Sequence, residues 1–123
     1  MSVENYIQAW VKSGKTVRYS DGDFSRRLPA DRIICKDGFE FSVQASANHY
    51  CTPRNDVAEK YTHFEVGFPS ILEESLAPYA ETPDTTETVF PWVPLAVIVY
   101  LINKHGGINP YTAERVLGNT VEV

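Results

Sequence analysis

The chain has 123 residues, 43% of them hydrophobic and 22% charged. This is the size and composition of one globular domain spanning 1–123, and it excludes a wholly disordered or fibrous chain. A formal net charge of −5 argues against a general nucleic-acid binder, because such proteins carry a basic footprint.

In chain order, Val3, Tyr6, Ile7, Trp10 and Val11 recur at helical spacing, so 3–13 reads as an amphipathic helix stopped by Gly14. Thr16 to Tyr19 reads as a short strand ended by the turn-forming Ser20-Asp21-Gly22-Asp23. Two apolar runs, 32–36 and 39–45, flank Asp37-Gly38, which predicts a β-hairpin with a type I′ turn. Phe39, Phe41, Val43 and Ala45 should share the buried face, with Glu40, Ser42 and Gln44 opposite. Residues 46–60 form a polar connection longer than compact domains usually tolerate without a reason.

A third strand is expected from Tyr61 to Phe68, with Phe64, Val66 and Phe68 on one face, then a helical piece over 71–76 and a loop over 77–91. Pro94 fits the first position of an apolar helix reaching Lys104, which Gly106-Gly107 stops. Lys104 and His105 are placed to favour the negative end of its dipole. Asn109 and Pro110 announce a last helix ending near Gly118. These elements give an α+β fold, a small antiparallel sheet of three or four strands with helices packed on one face. The helix 94–104 is apolar almost all round, so a second copy of the chain is expected to cover one side of it, making a homo-oligomer.

No run is long and apolar enough for a membrane span, and no basic-then-apolar leader opens the chain. A cytoplasmic protein with Cys35 and Cys51 as buried, reduced thiols is expected. The glycine-rich phosphate loops and the GxSxG elbow are missing from the sequence. Only His49, His63 and His105 are available as a base, and sequence spacing alone places no serine beside them. Cys35, His49 and Cys51 supply three candidate zinc ligands, one short of a structural site. No enzyme activity, metal or cofactor is therefore expected.

Residues 1–62 hold nine of the eleven Lys and Arg and balance to +1, whereas the remainder balances to −6. Basic chemistry thus belongs to the first half, where it suits a small anionic ligand better than a polymer. The segment His49-Tyr50-Cys51-Thr52-Pro53-Arg54-Asn55-Asp56 combines a guanidinium fork, which matches phosphate, with rings able to stack on a base. Arg26 and Arg27 can add charge to the same ligand. The plainer reading is a polar loop held by its own Asx and Pro turns, with Arg54 paired to Asp56 or Glu59.

The runs Ile34 to Ser46, His49 to Arg54 and Glu65 to Ser70, with weaker matches at 78–81, 86–89, 93–94 and 104–107, resemble a family of small proteins of tailed phages and prophages. The size, layout and Pro-Arg loop are also similar to the Thoeris anti-defence sponges, oligomers that capture cyclic ADP-ribose-type or cyclic oligonucleotide immune signals without cleaving them. That resemblance implies Arg54 as phosphate contact and Tyr79 as a base-stacking ring. Arg115 is the one arginine near the C-terminus where sponges place several. Two other readings stay open. One is a protein–protein effector masking a host enzyme through Glu65, Glu73, Glu74, Glu81, Asp84 and Glu87; the other is a hydrolase of the same signals using His49 with Cys51 or a metal.

Overall fold

A computed structural model of the chain describes residues 2–14, 16–18, 25–83 and 86–118, with the side chains of 16–27 left aside. Helix α1 (Val3–Val11) starts where the Ser2 hydroxyl accepts the Asn5 N–H, and it buries Tyr6, Ile7, Trp10 and Val11. Its periodicity is the cause: these four positions fall on one stripe of a 3.6-residue repeat. Gly14 lies so close to the next segment that an added Cβ would sit 1.9 Å from the Leu28 carbonyl oxygen. Strands β1 (Thr16–Arg18) and β2 (Ser25–Arg27) form a separate antiparallel pair. The turn expected between them lies outside the described residues.

Four further strands, β3 (Ile33–Ile34), β4 (Glu40–Gln44), β5 (His63–Gly67) and β6 (Val89–Pro94), make one antiparallel sheet in the order β3-β4-β5-β6. Register places apolar residues opposite one another: Ile33 with Phe41, Val43 with Val66, Phe64 with Val93 and Val66 with Phe90. All of these are buried, so one face of the sheet is the core wall. Helices α1 and α2 (Leu95–Lys104) pack against it, and α3 (Pro110–Leu117) packs against α1.

The β3–β4 hairpin forms, but its turn differs from the type I′ expected. Gly38 N–H donates to Cys35 O at 3.0 Å and Cys35 N–H to Phe39 O at 2.8 Å. Only Gly38, at φ 97°, takes the positive φ that a type I′ turn asks of both residues. The connection is therefore a three-residue loop, a type I turn closed by a left-handed glycine. Strand β5 stops at Gly67, and Phe68 turns outward at φ 50° with 48% of its surface exposed, so it does not join Phe64 and Val66 on the core face. The helical piece appears later than expected, as a 3-10 helix over Glu74–Tyr79. Residues 89–91, read as loop, belong to β6.

Pro94 occupies the N-cap of α2 rather than its first turn, whereas Asn109 caps α3 as expected, its side chain accepting the Tyr111 and Thr112 N–H groups. Helix α2 buries Ile98, Leu101 and Ile102, and α1, β6 and the 3-10 helix flank it. The chain itself thus covers more of α2 than one sheet alone could. Ala96 and Tyr100 remain exposed.

Two glutamines tie irregular segments to this frame. Gln8 Nε2 donates to Tyr61 O at 2.7 Å while its Oε1 accepts Tyr61 N–H at 2.9 Å. Gln44 does the same to Ala30, at 2.9 Å in both directions. Each side-chain amide acts as one rung of a ladder, satisfying a donor and an acceptor together.

Overpacking follows directly from the Gly14 contact. Gly14→Ala should cost about 1–3 kcal/mol, and Phe41→Ala, which empties a fully buried site, about 3–5 kcal/mol. Urea denaturation reads both as lower midpoints at unchanged slope.

Candidate functional site

The connection 46–60 is tied down by its own polar groups. Asp56 Oδ1 accepts Ala47 N–H at 2.9 Å, Asn55 Oδ1 accepts Val57 N–H at 3.1 Å, and Tyr61 OH donates to Asn55 O at 2.6 Å. Thr52 then bridges His63 of β5, its N–H donating to His63 O at 3.1 Å. The loop therefore leaves β4 and returns beside β5.

Where it returns, Tyr50 meets an irregularity in the sheet. Between the pairs Phe64–Val93 and Val66–Phe90, β5 contributes Glu65 alone and β6 contributes both Pro91 and Trp92. This bulge throws Trp92 to φ 51°. A left-handed conformation in a bulky aromatic residue costs about 1–3 kcal/mol and persists only where its surroundings impose it. Here the surroundings are the ladder on both sides and a bond from Trp92 N–H to Tyr50 O at 3.1 Å. Glu65 Oε1 accepts the Tyr50 N–H at 3.2 Å, which fixes that backbone from the other side.

The side chains above this junction form a small platform. The Tyr50 and Trp92 rings lie 5.2 Å apart at 44°, and Arg54 Cζ sits 5.2 Å from the Tyr50 centroid. Both rings are outside the core, at 38% and 47% exposure. Arg54 Nε donates to Ala47 O at 3.2 Å, so a backbone carbonyl of the same loop helps to hold the guanidinium. Cation–π contact and a fixed fork orient it over the ring.

The other sequence candidates are distributed. His49 stands in the same loop, its Nδ1 2.6 Å from Ser46 Oγ. That contact supplies the serine neighbour that sequence spacing did not. Yet Ser46 is buried and its Oγ also accepts Asn48 N–H at 3.0 Å, which is a turn of the loop closing on itself. Arg26 and Arg27 lie on β2, and their side chains fall outside the described residues. Tyr79 ends the 3-10 helix half-buried against the core. Arg115 lines a different cleft, of about 370 Å³, with Ser13, Gly14, Leu28, Pro29, Asp31 and Val116. Trp92 and Glu65 are the neighbours of Tyr50 that sequence reasoning did not attach to the loop.

The acidic surface invoked for a protein effector is reduced. Glu73 is buried, Glu65 is engaged by Tyr50, and Asp84 lies outside the described residues. Among the described residues, no group of three or more His, Cys, Asp or Glu is arranged to hold a metal ion, and no helix is long and apolar enough to cross a membrane. Cys35 and Cys51 are both buried and no disulfide joins them. Burial, and then the Asp37 charge, push the Cys35 thiol up to about 12, far from a nucleophilic thiolate. Cys51 Sγ donates to Ser46 O at 3.2 Å.

No family model, curated protein or solved structure matches the chain. The functional reading therefore rests on the platform itself and on the residues around it.

Two outcomes follow. Neither thiol should react with an aromatic disulfide reagent at pH 8 in the native protein, and both should react in denaturant; rapid native labelling would contradict the burial. Trp92→Gly should keep stability within about 1 kcal/mol of the parent, because glycine adopts positive φ freely and the relieved strain offsets the lost ring contact. Urea unfolding measures it.

Proposed function

We propose that the chain is a binding protein that captures a small cyclic nucleotide or ADP-ribose-derived immune signal and holds it uncleaved, an anti-defence sponge of a phage acting in the cytoplasm of its bacterial host. The observation that carries this reading is Trp92. A strained backbone that holds a large ring in water, against a second exposed ring that itself lies beneath a guanidinium, is unfavourable for stability alone. Its chemistry suits a ligand with a flat base and a phosphate, since stacking on an aromatic ring contributes about 1–3 kcal/mol per base and Arg pairs with phosphate bidentately.

The roles follow from position. Tyr50 and Trp92 supply stacking surface, and Arg54 supplies the phosphate contact. His49, beside Ser46, adds a hydrogen-bonding edge to the same loop. The surplus of Lys and Arg in 1–62 supports an anionic ligand, with Arg26, Arg27 and Arg115 as further basic groups and Tyr79 as a further ring. In the same reading the sponge is a homo-oligomer, a second copy covering the exposed Ala96 and Tyr100 of α2. The phage-protein resemblance of 34–46, 49–54 and 65–70 gives the biological setting.

Thermal unfolding against a panel of cyclic ADP-ribose isomers and cyclic oligonucleotides tests the reading. A ligand at about 100 times its Kd adds about 2.7 kcal/mol, a shift of several degrees for a domain of this size. Arg54→Ala should weaken binding about tenfold or more, as loss of a hydrogen bond to a charged group does, and the ligand should be recovered intact after the protein is denatured. Recovery of an altered ligand makes the protein an enzyme, and no shift across the panel overturns the sponge.

A further inference from the structure

Away from the platform, a row of four ionisable side chains leads from Asp37 in the hairpin turn through buried His105 and Glu73 to half-exposed Lys104. His105 is buried at the C-cap of α2, with Nδ1 2.6 Å from Asp37 Oδ2 and Nε2 2.6 Å from Glu73 Oε1. The second Glu73 oxygen takes Lys104 Nζ at 2.7 Å, and the Phe39 ring stacks on the imidazole at 4.0 Å and 13°. A neutral imidazole has one N–H to give. Two carboxylate oxygens at hydrogen-bond distance require both ring nitrogens to donate, so this geometry is that of the imidazolium.

We propose that His105 is a proton-operated clasp between the β3–β4 turn and Glu73, and that it opens at Asp37 when the ring loses its proton. The asymmetry of the two carboxylates sets the direction. The Glu73 side chain is 2% exposed and is held by Lys104, whereas that of Asp37 is 49% exposed. A buried carboxylate left without donors costs far more than one that swings into water. The remaining proton therefore stays on Nε2 for Glu73, the bare Nδ1 faces Asp37, and Asp37 leaves. A cleft of about 270 Å³ lined by Asp37, Gly38, Phe39, Ser70, Ile71 and His105 lies at that point, so opening widens it and uncovers the edge of the Phe39–His105 stack.

The facing groups agree on the sign. Burial pushes the His105 ring down, and the bonds and charges of Asp37 and Glu73 outweigh it, so its pKa lies above the ordinary value. Burial raises the Glu73 carboxyl, and Lys104 and His105 more than offset that. The Phe39 N–H, then His105, hold Asp37 down. Around them, Glu73, Tyr100 and Glu74 favour the charged Lys104, and the Cys35 thiol facing Asp37 is neutral. The clasp is therefore fully closed below the ordinary histidine value, about 6.5, and opens as pH rises through the raised one. Protonation of Glu73 and Asp37 releases it again only below the ordinary carboxylate range.

Ring-nitrogen NMR of the full chain tests the proposal, with amide exchange at Gly38 and Phe39 corrected for intrinsic rate. Both His105 nitrogens should carry protons at pH 7, the midpoint should lie above 6.5, and protection of the turn amides should fall severalfold through that midpoint. Asp37→Asn should lower the midpoint while the Lys104–Glu73 contact persists. A neutral His105 at pH 7, an unmoved midpoint in Asp37→Asn, or turn amides equally protected on both sides of the midpoint would each overturn the clasp.

Discussion

The apolar row that crosses the four-stranded sheet, from Ile33 through Phe41, Val43, Val66, Phe64 and Phe90 to Val93, has to be kept from water, and most of the architecture answers to that requirement. Burying each such side chain contributes about 1.5–3 kcal/mol. Helices α1 and α2 cover the row, with Trp10, Ile7, Ile98 and Leu101 fully buried between helix and strand. The opposite face of the sheet carries polar side chains, Glu40, Ser42 and Gln44 on β4, of which Gln44 is buried against the Ala30 segment. Polar bonds then locate the connections: Gln8 and Gln44 each hold one backbone amide pair. Trp10 Nε1 donates to Asp31 O at 2.7 Å.

The same sheet imposes the geometry of the platform. Strand β6 lies at an edge, where unpaired backbone groups invite association with another strand. Pro91 and Pro94 cannot donate, the bulge opposite Glu65 twists the strand, and Tyr50 O takes the Trp92 N–H. One irregularity thus blunts the edge and presents an indole outward. The positive φ of Trp92 is tolerated because paired residues on either side of it, Phe90 and Val93, are buried and cannot shift.

Local chemistry was legible in the sequence and long-range chemistry was not. Phe39, Phe41, Val43 and Ala45 alternate with a period of two, so the buried face of β4 followed from residues alone. Asn109-Pro110 and Gly118 gave the bounds of α3 for the same reason, since caps act within a turn. The Asp-Gly hairpin was legible but its loop length was not: Lys36 joins the turn because its N–H donates to Gly107 O at 2.9 Å, a contact 71 positions away in a segment with no sequence mark for it. Strand β6 was hidden by its prolines, which read as loop. Arg54, Tyr50 and His49 were singled out by residue type, while Trp92 comes beside Tyr50 only through pairing of β5 with β6. The Glu73–His105–Asp37 line joins three distant segments and leaves no periodic trace.

The platform is the center of this account, and the protein carries its own reporter for it. Its two tryptophans differ sharply: Trp10 is fully buried and Trp92 is about half exposed. Titrating the isotopically labelled chain with cyclic ADP-ribose and with a cyclic dinucleotide, while following the two indole N–H resonances, reads the site directly. A saturable shift of the Trp92 signal with one of these probes, Trp10 unmoved, is the predicted result. A Trp92 signal that stays in place at concentrations where calorimetry detects binding would put the ligand elsewhere and contradict the account.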